Sequence, residues 1–167
     1  MEYIEGGVTA AKGFSAAAVA AHVKYEGRTD MAMVFSQVPC ALAGTFTTNV
    51  VKAAPVKWDA RLVHEGGIGQ AVVINSGIAN ACTGQEGMDI CKAEAEAAAK
   101  ALSIAPDHVL VASTGEIGRQ LPVDRMVKGI EMLAPLLEES LEAGGRAAKA
   151  IMTTDTQLKS CCRLLSA

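Results

Sequence analysis

Short apolar runs alternate with glycine-containing polar loops through the first half of the chain, and helical spacing takes over in the second. Residues 30–36 (D-M-A-M-V-F-S), 43–51 (A-G-T-F-T-T-N-V-V), 71–74 (A-V-V-I) and 109–112 (V-L-V-A) are apolar or β-branched over strand lengths and predict strands. Pro39 is read as closing the first of these and Pro55 as ending the second. Residues 15–22, built on A-A-A-V-A-A, contain no helix breaker and predict a short helical segment after the loop G-G-V-T-A-A-K-G-F at 6–14. Residues 87–102 (G-M-D-I-C-K-A-E-A-E-A-A-A-K-A-L) predict the clearest helix, with Asp89 near its positive dipole end and Ile90, Ala97 and Leu102 toward a sheet. Pro106 separates it from the strand at 109. Pro122 begins another helix through M-V-K-G-I-E-M-L-A, and residues 136–152 form a further helical stretch broken at Gly144-Gly145. This alternation predicts an α/β (α+β) layered sandwich, organised as a single domain over residues 1–167 with no internal repeat.

Composition sharpens the picture. Half of the 167 residues are hydrophobic and 4% aromatic, so the core is expected from Val, Ile, Leu, Met and close alanine contacts. With 15 basic against 18 acidic residues and no basic cluster, nucleic-acid binding is excluded as an expectation. No apolar run approaches the roughly 20 residues of a membrane span, and M-E-Y-I-E-G-G lacks the features of a signal peptide. These observations predict a soluble cytoplasmic protein. The five cysteines, at 40, 82, 91, 161 and 162, include no C-x-x-C pair, and the predicted state is free thiols with no bound metal.

Three loops carry candidate chemistry. They are residues 75–84 (N-S-G-I-A-N-A-C-T-G), 113–118 (S-T-G-E-I-G) and 153–156 (T-T-D-T), each dense in small hydroxyl, amide or glycine residues after a predicted element. In the second loop Gly115 permits close approach of backbone to a ligand, and Thr114 supplies a backbone N–H and a hydroxyl. Fixed donors of this kind suit an oxyanion hole, but a plain strand-to-helix connection accounts for the same residues. T-T-D-T likewise reads as a site or as a helix-capping turn. No phosphate-binding glycine motif occurs in these loops. The histidines at 22, 64 and 108 are scattered, and no G-x-S-x-G marks a nucleophile for any of them to activate.

Together these blocks resemble one family. G-G-V-T-A-A-K-G-F, A-G-T-F-T-T-N-V-V-K-A-A-P-V at 43–56, V-V-I-N-S-G-I-A-N-A-C-T-G at 72–84, V-L-V-A-S-T-G-E-I-G at 109–118 and A-I-M-T-T-D-T at 150–156 resemble, in order and over nearly the whole chain, the ArgJ-type glutamate N-acetyltransferases, also called ornithine acetyltransferases. The resemblance implies the α-chain portion of an ArgJ/DmpA-like fold. It also implies a precursor that cuts itself before a threonine, whose freed α-amine serves as base for its own hydroxyl. That threonine would take acetyl from N2-acetylornithine and pass it to glutamate, forming ornithine and N-acetylglutamate in arginine biosynthesis. Carried onto this sequence, Thr114 and Gly115 are the oxyanion-hole pair and Thr153 is a substrate-binding residue. No cofactor is implied beyond acetyl-CoA as a possible acetyl donor, and the implied partner is the β chain of the same precursor in an α2β2 heterotetramer.

Two positions depart from the family pattern: Ile78 stands where an asparagine is usual, and Glu116 where an apolar residue is more frequent. The family's K-G-x-G-M…P-x-M-A-T segment, which carries a substrate-binding lysine and the nucleophile, is also absent. After Thr156 the chain reads Q-L-K-S-C-C-R-L-L-S-A, so the nucleophile is expected on another chain. Alternative expectations are a truncated, non-catalytic fragment and a binding module for N-acetyl amino acids.

Overall fold

The structure, a computed structural model, describes residues 2–164. In chain order the elements are β1 (Glu2–Ile4), β2 (Phe14–Val19), β3 (Met31–Ala41), α1 (Ala54–Glu65), β4 (Ile68–Asn75), α2 (Gly84–Leu102), β5 (Val109–Ser113), α3 (Val123–Leu133), α4 (Leu141–Ala150) and β6 (Cys162–Leu164). A four-stranded sheet in the order β2-β3-β4-β5 forms the middle layer, and β1 and β6 pair separately as an antiparallel ribbon. One face of the large sheet carries the main core: Met31, Met33, Val73, Val109 and Val111 lie fully buried beneath α1, α2 and α3. The other face meets α4 through Ala16, Ala32, Ala147 and Ala150.

The predicted helix at 15–22 is instead strand through Val19, with residues 20–22 outside any regular element. Helix propensity is a weak preference that packing overrides. Phe14 to Val19 pair antiparallel with Ser36 to Met31, Ala17 faces the main core, and Ala16 faces α4. Small side chains on both faces let helices approach the strand from either side.

Pro39 does not close β3. The strand continues to Ala41 through a bulge between Phe35 and Cys40, where no ladder partner requires the missing proline N–H. The predicted strand at 43–51 is instead an exposed loop, with Val50 at 94% exposure. Among the described residues no strand pairs with it, and its backbone bonds locally: Asn49 N–H donates to Thr47 Oγ1 and Val51 N–H to Asn49 Oδ1.

Pro55, read from the sequence as a terminator, lies in the first turn of α1, where a proline needs no N–H partner. Trp58 and Leu62, one turn apart, bury that helix's inner face. Gly144 and Gly145 do not break α4. A Cβ on Gly144 would lie 2.4 Å from Thr9 Oγ1, so this glycine allows the helix to sit against residue 9. The helix start is fixed by Ser140, whose hydroxyl accepts from the Ala143 N–H.

The crossover that positions the site is β4-α2-β5. β4 and β5 are parallel, with Asn75 opposite Ser113, so both end at the same edge of the sheet. Loops at the carboxyl ends of adjacent parallel strands are where α/β folds place ligands.

Candidate active site

The loops that follow β4 and β5 are bonded to each other. Thr114 N–H donates to the Asn75 carbonyl at 3.1 Å, Glu116 N–H to the Gly77 carbonyl at 3.0 Å, and Ala79 N–H to the Glu116 carbonyl at 2.8 Å. Gly115, at φ +136°, passes so near the other loop that a Cβ there would sit 2.2 Å from the Gly77 carbonyl carbon. Only glycine fits.

Most of the polar residues in these loops hold the scaffold. Asn75, fully buried, donates through Nδ2 to the Ile78 carbonyl at 2.8 Å. Ser113 Oγ donates to that same carbonyl and accepts from the Asn80 N–H. Asn80 Nδ2 donates to the Gly87 carbonyl, and Thr83 Oγ1 donates to Asn80 Oδ1. Ile78, the departure from the family pattern, is buried in the main core, where an apolar side chain is accommodated.

Thr114, Gly115 and Thr153, distant in sequence, line one cavity of about 370 Å³. The third loop reaches it because the end of α4 is pinned: Ser76 Oγ donates to the Ala150 carbonyl at 2.6 Å. Thr153 is then set by a local turn in which its N–H faces Asp155 Oδ2. Among the described residues, the Thr114 hydroxyl and the Gly115 N–H make no hydrogen bond. The Thr114 N–H, by contrast, is committed to Asn75. The available donors of this loop are therefore one hydroxyl and one backbone N–H, on consecutive residues.

Lys24 and Tyr25 complete the cavity, and nothing in the sequence reading marked them. A buried aspartate places them. Asp30 Oδ1 accepts from the Ala21 N–H at 2.7 Å and Oδ2 from the Val23 N–H at 2.6 Å, folding residues 20–30 back on themselves. Arg28 Nη2 then donates to the Met152 carbonyl, joining this segment to the threonine loop. Lys24 Nζ and Glu116 Oε2 form an ion pair at 2.9 Å. The shared hydrogen bond holds the Lys24 ammonium above its ordinary pKa and the Glu116 carboxyl below its own. The signal in the sequence was an aspartate entering an apolar strand, a charge that burial tolerates only with donors around it.

Other residues weighed in the sequence lie elsewhere. Cys82 and Thr83 line a separate cavity with Lys52 and Lys57. His22 borders a neighbouring groove, where its carbonyl accepts from Arg125. No histidine or cysteine lines the Thr114 cavity among the described residues.

A second polar group lies behind the sheet. Asp59 on α1 accepts from the Val111 N–H at 3.0 Å, and burial pushes its pKa up to about 6. Glu94 on α2 is wholly buried, and burial and Asp59 together push it up to about 8. Burial, Glu94 and Asp59 push the Cys91 thiol up to about 12, which leaves it protonated and unreactive. The structure places Glu94 on the buried helical stripe of Ile90, Cys91, Ala95 and Ala98, whereas the sequence reading had turned Ile90, Ala97 and Leu102 toward the sheet. No group of histidine, cysteine and acidic side chains able to hold a metal occurs among the described residues. No helix among them is long and apolar enough to cross a membrane.

Comparison with known proteins gives a consistent result. The model of the ArgJ family matches residues 15–167. The arginine biosynthesis bifunctional protein ArgJ of Symbiobacterium thermophilum is 52% identical over 158 residues, covering 93% of this chain and 39% of that protein. The corresponding protein of Gloeobacter violaceus is 45% identical over 160 residues, 96% of this chain and again 39% of its own length. The chain thus spans about two-fifths of the curated relatives it matches. Among solved structures, the Mycobacterium tuberculosis ornithine acetyltransferase complexed with ornithine superposes with a TM-score of 0.89 at 45% identity, covering 93% of this chain and 84% of that one. An ArgJ protein of Bacillus halodurans gives 0.88 at 39% identity, covering 93% and 81%.

Proposed function

Because the chain belongs to the ArgJ family, we propose that it forms the charge-stabilising half of an acetyltransferase that moves acetyl from N2-acetylornithine to glutamate in arginine biosynthesis. The observation that carries this reading is the pair of unspent donors on Thr114 and Gly115, in the same cavity as Thr153. When a nucleophile attacks the acetyl carbonyl, its oxygen gains negative charge. Donors already fixed in place stabilise that charge without reorganising. Gly115 is fixed by its contact with Gly77, and Thr114 by its bond to Asn75.

The nucleophile in this reading is a threonine at the head of a β chain cut from the same precursor, with its own α-amine as base. Its hydroxyl attacks the acetyl carbon of N2-acetylornithine, the tetrahedral oxyanion rests on Thr114 Oγ1 and Gly115 N–H, and ornithine leaves with the proton taken from the hydroxyl. Glutamate then attacks the acetyl-threonine ester through its amine, the same donors hold the oxyanion, and the ester C–O bond breaks as the threonine hydroxyl takes back the amine's proton. Thr153 holds the substrate from the opposite loop. The active assembly is an α2β2 heterotetramer in the cytoplasm; it uses no cofactor, and acetyl-CoA is an alternative donor of the same group.

Intact mass spectrometry of the assembled enzyme, this chain with a β chain, tests the reading. Incubation with N2-acetylornithine alone should add one acetyl group to the β chain, and glutamate should remove it. Binding without acetylation would favour a binding module instead, and neither binding nor acetylation would overturn both readings.

A further inference from the structure

The cavity at the ends of β4 and β5 has two charged walls. Lys24 and Glu116 supply them, and no other charged side chain lines it among the described residues. Their ion pair is open to solvent, with side-chain exposures of 23% for Lys24 and 48% for Glu116. The Lys24 ammonium also lies 4.9 Å from the centre of the Tyr25 ring. Gly77, at φ +104°, leaves room for the Lys24 stem: a Cβ there would come within 2.9 Å of Lys24 Cβ. The nearby Arg28 is committed to the Met152 carbonyl.

On the acetyl-transfer reading, on which this inference rests, one cavity takes two molecules in turn whose side chains end in opposite charges. N2-acetylornithine ends in an ammonium and glutamate in a carboxylate. A fixed anion would hold the donor and repel the acceptor, and a fixed cation would do the reverse. We infer that Lys24 and Glu116 form an exchangeable charge pair that serves both substrates: closed on itself in the empty cavity, it gives Glu116 to the donor's ammonium and Lys24 to the acceptor's side-chain carboxylate.

The physical chemistry suits this role. An exposed ion pair is held weakly, so a substrate charge can replace either member at little cost. Lysine carries a compact ammonium on a flexible stem, which can be redirected. When Glu116 turns away, the Tyr25 face remains as a partner for the cation. Glu116 directly follows Gly115, so the charged end of the substrate is read one residue from the donor that meets its reacting carbonyl.

Steady-state kinetics of the assembled enzyme tests the inference. Glu116→Gln should raise KM for N2-acetylornithine about tenfold or more, the scale of one lost charged hydrogen bond, and leave KM for glutamate within about twofold. Lys24→Met should show the opposite split. The preference for N2-acetylornithine over N2-acetylnorvaline, which lacks the ammonium, should disappear in Glu116→Gln. The double reversal Lys24→Glu with Glu116→Lys restores an ion pair, so wild-type KM values for both substrates in that variant would show a structural pair and overturn the inference. Equal movement of both KM values in the single variants would also overturn it. An assembled wild type that transfers no acetyl group overturns the acetyl-transfer reading itself, an outcome distinct from an active enzyme without the charge split.

Discussion

A Cβ on Gly115 would lie 2.2 Å from the Gly77 carbonyl carbon, closer than any packed side chain can come. The two site loops are therefore locked together at this glycine. Gly115→Ala must part them or distort residue 115, whose φ of +136° an alanine resists. On the proposed acetyl-transfer reading, the expected result is a loss of about a hundredfold or more in kcat, the scale of one lost oxyanion-hole donor. Kinetics of the assembled variant checks it.

Thr114 makes a cleaner separation between fold and chemistry. Its N–H holds the Asn75 carbonyl in any variant, and its hydroxyl makes no bond among the described residues. Thr114→Ala should lower kcat by about a hundredfold with little change in thermal midpoint, and Thr114→Ser should restore most of the rate. A midpoint that falls along with the rate would place the hydroxyl in the scaffold.

Glu94 makes stability depend on pH. Its carboxyl is pushed up to about 8 from 4.5, and that of Asp59 up to about 6 from 3.8. The folded state thus binds more protons than the unfolded one across this window. The stabilisation is complete below about pH 4 and is lost as pH rises through about 6 and then about 8. Glu94→Gln should leave the chain nearly unchanged at pH 5 and stabilise it by a few kcal/mol at pH 8. Urea denaturation at the two pH values measures the difference, and a variant with the wild-type pH slope would contradict it.

The two adjacent glycines of α4 should respond with opposite signs. Gly145 has open space where a Cβ would go, so Gly145→Ala should stabilise the chain by about 0.5–1 kcal/mol, the usual helix-interior gain. At Gly144 the new methyl group would meet Thr9 Oγ1 at 2.4 Å, and Thr9 is held by its bond to the Ser140 carbonyl. Gly144→Ala should therefore destabilise by about 1–3 kcal/mol, as overpacking does. Thermal denaturation of the two variants side by side decides it.

Local chemistry made part of this molecule legible before any fold was known. The apolar runs at 71–74 and 109–112 are strands because their residues suit a buried parallel pair and nothing competes with that outcome. The long helix ending at Leu102 follows from its alanine, glutamate and lysine content. Family motifs picked out Thr114, Gly115 and Thr153, which the fold gathers into one cavity.

Where local preference and packing disagreed, the tertiary structure decided. Residues 14–19 are a strand because β3 pairs with them and helices press on both faces, constraints that no window of alanines contains. Residues 43–51 have strand composition but pair with no strand among the described residues, and so remain a loop. The site's charged walls belong to the same class of fact. Lys24 and Glu116 lie far apart in sequence and meet only because Asp30 folds one segment back and the parallel register of β4 and β5 brings the other forward. Sequence alone determined which residues can donate, stack or carry charge, since those are properties of side chains. Which of them share a cavity depended on long-range pairing, because strand register and burial are properties of the whole chain.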